Sequence, residues 1–339
     1  MDQDTFPINA YHFDFKDTKW LEYLRSNGYV VIKNVATKKE IEASASLLKR
    51  DLSTLKLPTT GLIAKLAQSE GAWAIRGVRK LKDVFSMIWE TDDLIVSMDS
   101  IIAWKLWKGY NSSSCTDAYP MQPKTEGLHL DQNPFSKPSL DCIQGMMPLL
   151  SVTKETGGLT VVPFSHSDEN KVEFKARYPG MKNIGDWCPI SEGDPMYNDA
   201  ILLLAEPGDL ILWDSRTVHG GMIGSGKKDS CSSSNEDIKC FDRDSNVAEG
   251  DKQNQPFNGI KSMDISKEIP LVRLSVCVSM TPRSKANADI LNARKDGFEQ
   301  GFSFNHCPHE AGTSSGTIKD TLPANCQRAV LTKYQSSLM

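Results

Sequence analysis

From residue 143 onward the chain is a series of short apolar stretches, each bounded by Gly, Pro, Asn or Asp. They are IQGMMPLLSV (143–152), GGLTVVPF (157–164), AILLLAEPGDLILWD (200–214) and PLVRLSVCVSM (270–280). Runs this short, punctuated this often, restrict the chain to packed sheets, as in a sandwich or a double-sheet jelly roll. The segment before them reads differently. Residues 18–34 predict a helix ending at Gly28 and then a strand, YVVIK. In 37–54, Ile41, Ala45, Leu48 and Leu52 fall at helical spacing behind a Thr37 cap with Glu40 as its capping-box partner. A further helix is expected over 78–90, then one long strand over LIVSMDSIIAWKLW (94–107). Residues 168–199 carry little periodicity. The expected class is α+β in a single domain, 1–339. It has a helical N-terminal part (about 1–93), a β core (about 94–283) and a helical tail (284–339) that begins with a helix packed outside the sheets.

The net charge of −4, without a lysine–arginine cluster, argues against a nucleic-acid binder that works by neutralising phosphates. No run of 18 apolar residues is present, and the first residues lack the basic and apolar regions of a secretory signal. Eight cysteines without a C-x-x-C pair read as reduced thiols. A cytoplasmic monomer without nucleic-acid or membrane partners is the expectation.

The chemistry starts at TEGLHLDQNPFS (125–136). Residues i and i+2 of a strand point to one face, so His129 and Asp131 converge as two ligands of one metal would. A lone His-x-Asp is more often a solvated pair, so a third ligand is required. EPGDLILWDSRTVHGG (206–221) supplies one: a turn launches the strand LILWD, and His219 follows it. Two imidazoles and one carboxylate suit the facial triad of non-heme Fe(II) enzymes better than a tetrahedral zinc site. In PLVRLSVCVSM, Arg273 and Ser275 share a face of an apolar strand. A charge there needs a partner, either a bound carboxylate gripped by the guanidinium fork or an internal Asp or Glu.

His129-x-Asp131, His219 and Arg273-x-Ser275, in this order, resemble the Fe(II)/2-oxoglutarate-dependent dioxygenases. GLHLDQNP, GGLTVVPFSH and WDSRTVHGG resemble the phytanoyl-CoA dioxygenase family within them. The resemblance covers roughly residues 95–283. It implies a double-stranded β-helix (cupin-like jelly-roll) core, Fe(II) on the triad, 2-oxoglutarate anchored by Arg273 with help from Ser275, and O2 as cosubstrate. Because Asp131 stands where halogenases have a small residue, it also implies hydroxylation, desaturation or oxidative cyclisation of a small molecule. The substrate would be a metabolite or biosynthetic intermediate, amino-acid-like among the options. The alternatives are an acyl-CoA 2-hydroxylase and a non-catalytic cupin-like metal-binding protein. Two departures stand out. Phe164 occupies the position of a usual glycine, and His219 and Arg273 are unusually far apart because a polar insertion, 224–268, separates them. That insertion is expected to be either a lid over the site or a passive, disordered loop.

Other residues have weaker readings. Lys105 is a second candidate for 2-oxoglutarate, or a snorkelling surface lysine. Trp104 and Trp107 read as core or pocket wall, with Trp104 beside the substrate. Gln132 is placed to hydrogen-bond the metal carboxylate, and His166 to cap its own turn. Arg76 and Arg79 could meet an anionic substrate, with a solvated helix face as the plainer reading. His306, Cys307 and His309 read as a structural turn rather than a zinc site.

Overall fold

The computed structural model describes residues 10–108, 120–226, 270–310 and 321–339. Most of the polar insertion, from 227 on, and with it the lid or loop expected there, lies outside the described residues. The fold is mixed α+β. A seven-stranded sheet runs in the order His12–Asp14, Tyr29–Lys33, Leu210–Asp214, Ile143–Pro148, Leu271–Cys277, Ile101–Lys105, Leu62–Ile63. A five-stranded sheet runs Ile201–Leu202, Gly157–Val161, His219–Ile223, His129–Leu130, Cys188–Pro189. Pairing is antiparallel throughout except between the two N-terminal strands.

Alternation along the strands sets the layers. Val30, Ile32, Leu210, Leu212, Leu274 and Val276 join the N-terminal helices in one core. Tyr29, Val31, Ile211 and Trp213 pack instead with Leu159 and Val161 of the five-stranded sheet. The large sheet is therefore largely apolar on both faces, which is why its central strands read as mostly apolar runs. Arg273 and Ser275 alternate with Leu274 and Val276, and so face the second sheet.

The helices Lys19–Asn27 and Lys38–Leu52 follow the sequence reading. Gly28 caps the first in a left-handed conformation (φ 86°), and Thr37 and Glu40 form the capping box of the second. Arg79–Trp89 accounts for the helix expected over 78–90. Three segments differ from expectation. The 94–107 strand is broken: Leu94–Val96 pairs with Met280–Pro282, while Ile101–Lys105 enters the large sheet. Asp99 makes the break. Its side chain accepts from the Ser100 amide (2.6 Å) and its carbonyl accepts from Arg76 (2.6 Å), so local bonds replace the ladder. Residues 168–199 include the helix Asp168–Arg177, capped by Ser167 and buried only at Lys171 and Phe174, hence without an apolar stripe. The unexpected helix Glu70–Arg76 is buried on nearly every side, which also erases periodicity.

The tail begins with the helix Ala288–Glu299, whose Phe298 ring meets Trp73 edge-on at 5.5 Å, on the helical layer. Its described remainder is mostly irregular and not helical, apart from Lys333–Ser337.

Phe164 has φ 63° and is half-exposed. A left-handed backbone costs a residue with a Cβ roughly 1–2 kcal/mol. Phe164→Gly is therefore expected to resist denaturant better than Phe164→Ala, by about 1 kcal/mol. Equal midpoints in urea unfolding would remove the strain from this position.

Candidate metal centre

The two central strands of the small sheet bring the triad together. His129 and His219 are direct cross-strand partners, with ring centroids 4.6 Å apart. The strands close because residue 220 is glycine: a Cβ there would lie 2.3 Å from the Gly127 carbonyl oxygen. Asp131, two residues past His129, completes the set, and one ligand atom from each of the three lies within 4.8 Å of the others. All three line one cavity of about 420 Å³ between the sheets.

The hydrogen bonds decide which nitrogens are free. His129 Nδ1 lies 3.0 Å from the Gly127 carbonyl and His219 Nδ1 2.9 Å from that of Thr217. A carbonyl only accepts, so both Nδ1 atoms carry hydrogen and both Nε2 atoms are turned inward. Burial, then His219, hold the His129 pKa down to about 4, so the ring is neutral near pH 7. Burial alone would raise the Asp131 pKa, but His219, His306 and His129 outweigh it and keep the carboxyl well below its ordinary range. Its Oδ2 lies 3.2 Å from His219 Nε2 and its Oδ1 3.7 Å from His129 Nε2. Two inward Nε2 atoms and an ionised carboxylate converge on one point, a donor set that fits a cation.

Gln132 does not touch Asp131. Its amide donates to the carbonyls of Lys137 and Ser139 (both 2.6 Å) and accepts from the Asp141 amide, tying down the loop after the triad. The donor to Asp131 is Gln144, whose Nε2 lies 3.1 Å from Oδ2. The sequence signal for it was a polar residue inside the apolar run IQGMMP.

Arg273 lines the same cavity, 4 % exposed. Its guanidinium carbon lies 4.3 Å from the Trp104 ring centroid and one Nη lies 3.7 Å from the Met146 sulfur, while Nε has no partner. No carboxylate pairs with it among the described residues, and burial lowers its pKa to about 10. The internal ion pair is thus replaced by an open guanidinium, and the buried Ser275 hydroxyl beside it is likewise unpartnered. The guanidinium fits an incoming carboxylate, whereas Ser275 is not among the residues that line the cavity. Trp104 is cavity wall, as expected. Lys105, next along the strand, lies outside this cavity and lines a separate surface pocket.

Several readings are corrected. Arg76 is neither solvated nor in the cavity: it is fully buried and donates to the carbonyls of Ala67 and Asp99. Arg79 is exposed and stacks on Tyr334. His166 reaches the Arg25 carbonyl (2.9 Å) at the end of the first helix rather than its own turn. His309 is structural, between Thr281 and Asp141. His306, however, lines the cavity with Nδ1 4.0 Å from Asp131 Oδ2. The second carboxylate–histidine group, Asp141, His309 and Glu310, is neutralised by Lys137 and Lys285 and serves to anchor this segment. Asp99 and Glu126, which nothing in the sequence singled out, also line the cavity. Both have raised pKa values, chiefly through loss of solvation.

The family model for phytanoyl-CoA dioxygenase (PhyH) matches residues 24–223. The Ava biosynthesis cluster protein O of Aspergillus versicolor is 26 % identical over 181 residues, 48 % of this chain and 52 % of that protein, so the match spans about half of the relative's length. Among solved structures, the putative oxidoreductase from Salmonella typhimurium LT2 is similar over 98 % of this chain and 87 % of its own, with a TM-score of 0.56 and 12 % identity. The epimerase SnoN in complex with Fe3+, alpha ketoglutarate and nogalamycin RO is similar over 78 % of this chain and 84 % of its own, with a TM-score of 0.43 and 15 % identity. The chain belongs to the phytanoyl-CoA dioxygenase family.

Proposed function

We propose that His129, Asp131 and His219 hold Fe(II), and that Arg273 with Ser275 grips the far carboxylate of 2-oxoglutarate. The enzyme oxidises a C–H bond of a small polar metabolite or biosynthetic intermediate, amino-acid-like in character, by hydroxylation, desaturation or oxidative cyclisation. The two sheets are read as the double-stranded β-helix of a single domain. Pairing of the N-terminal strand Tyr29–Lys33 with Leu210–Asp214 inside the large sheet supports that reading. The observation that carries the function is the meeting of two groups in one cavity: a cluster of two histidines and one carboxylate, and a buried guanidinium that no carboxylate pairs among the described residues.

Bound iron activates O2 toward C–H cleavage while 2-oxoglutarate is converted to succinate and CO2. The protein's own part is geometric. The Gly127 and Thr217 carbonyls fix the imidazole tautomers, Trp104 holds the Arg273 fork flat, and Met146, Leu159 and Trp213 keep water from the floor of the cavity. Asp99, Glu126 and Lys124 offer counter-charges for the amine and carboxylate of an amino-acid-like compound. An acyl-CoA is disfavoured, because Lys124 and Arg273 are the only lysine and arginine among the described lining residues and the cavity must also admit 2-oxoglutarate.

Anaerobic addition of Fe(II) and 2-oxoglutarate should give a visible charge-transfer absorption, and alanine at His129, Asp131 or His219 should remove it. An undiminished band in any of the three variants would break the ligand assignment. A metabolite screen for substrate-stimulated succinate then identifies the substrate class.

Arg273→Lys keeps the charge but loses the fork, and 2-oxoglutarate binding should weaken by about 1–3 kcal/mol. Arg273→Met removes a buried charge that has no partner in the free protein. It should raise the stability of that protein by about 1–3 kcal/mol while abolishing cosubstrate binding. A destabilised Met variant would mean that Arg273 is already paired in solution.

A further inference from the structure

We propose that Gln144 is the positioning residue for the metal carboxylate: its side-chain amide holds Asp131 Oδ2 and so fixes how Asp131 is presented to the metal. The inference rests on the iron reading above.

Gln144 sits in the middle of the large sheet. Its strand is paired on one side with Leu210–Asp214, where it faces Trp213, and on the other with Leu271–Cys277. The residue is 5 % exposed, so its backbone cannot shift and its side chain has little freedom. Ile143, Met146 and Met147 around it are apolar and buried, and a glutamine in such a run is costly unless its amide has work. The contact to Asp131 Oδ2 at 3.1 Å also fixes the amide's orientation. An ionised carboxylate only accepts, so the nitrogen must face Asp131 and the amide oxygen must not.

The two carboxylate oxygens are then unequal. Oδ2 accepts from a fixed donor and lies 3.2 Å from His219 Nε2, while Oδ1 lies 3.7 Å from His129 Nε2. Turning the carboxylate away from Gln144 would strand a buried amide, so the donor holds Asp131 in one orientation toward the two imidazoles.

Gln144→Met conserves length and apolar packing but has no donor, and Gln144→Asn keeps the amide but cannot reach. The Fe(II) dissociation constant of each variant is measured anaerobically, together with the charge-transfer band of the Fe(II)–2-oxoglutarate mixture and the circular dichroism spectrum. Both variants should fold as the parent does, bind Fe(II) about 10–100-fold more weakly, and show a shifted or weakened band. Parental affinity and an unchanged band in folded Gln144→Met would overturn the proposal. If the parent protein shows no band, the iron reading itself fails and the inference falls with it, by a result that no Gln144 variant could produce.

Discussion

The geometry of this protein depends on unmet charge. Two imidazoles and an ionised carboxylate point into one cavity, and a guanidinium that no carboxylate pairs among the described residues faces it from the opposite sheet. Each arrangement opposes folding when taken alone, because burying unpaired polar groups is costly. The surrounding structure holds them in place. The carbonyls of Gly127 and Thr217, the amide of Gln144 and the ring of Trp104 fix four side chains that would otherwise turn toward solvent or one another. A site pre-arranged in this way gives its stability back when metal and cosubstrate bind.

The sheets make such a cavity possible at modest cost. The large sheet is covered on one face by the helical layer and on the other by the small sheet, so the apolar core carries the fold. Only a few inward positions, at Gln144, Arg273 and Ser275, are given over to polar groups. The proposed metal ligands come from the small sheet and the loop after it, while the proposed carboxylate-binding pair comes from the large one. The closeness of His129 and His219 in turn depends on a glycine, Gly220, that no larger residue could replace without pushing the strands apart.

Much of this was legible in the sequence, because the decisive signals were local. Strand alternation placed His129 with Asp131 and Arg273 with Ser275, and caps such as Thr37 with Glu40 marked the helices. What escaped was set by tertiary contact. Gln132 was the nearer neighbour of Asp131 in sequence, yet Gln144, 13 residues on, is the neighbour in space. Arg76 looked like part of a solvated face because nothing local shows that a seven-residue helix is buried all round. The long strand broke at Asp99 because a side chain and a distant arginine bid for its backbone. His306 and His309 carried the same local signal, and only the fold sends one into the cavity and the other to Asp141.

The central claim is that one cavity joins a three-residue metal site to a carboxylate anchor on the opposite sheet. The most direct measurement is anomalous diffraction at the iron edge from crystals grown anaerobically with Fe(II) and 2-oxoglutarate. A single anomalous peak should lie within coordination distance of His129 Nε2, His219 Nε2 and Asp131, with density for the far carboxylate of 2-oxoglutarate at Arg273 and Ser275. A peak that leaves out any of the three, or a cosubstrate carboxylate held away from Arg273, would contradict it.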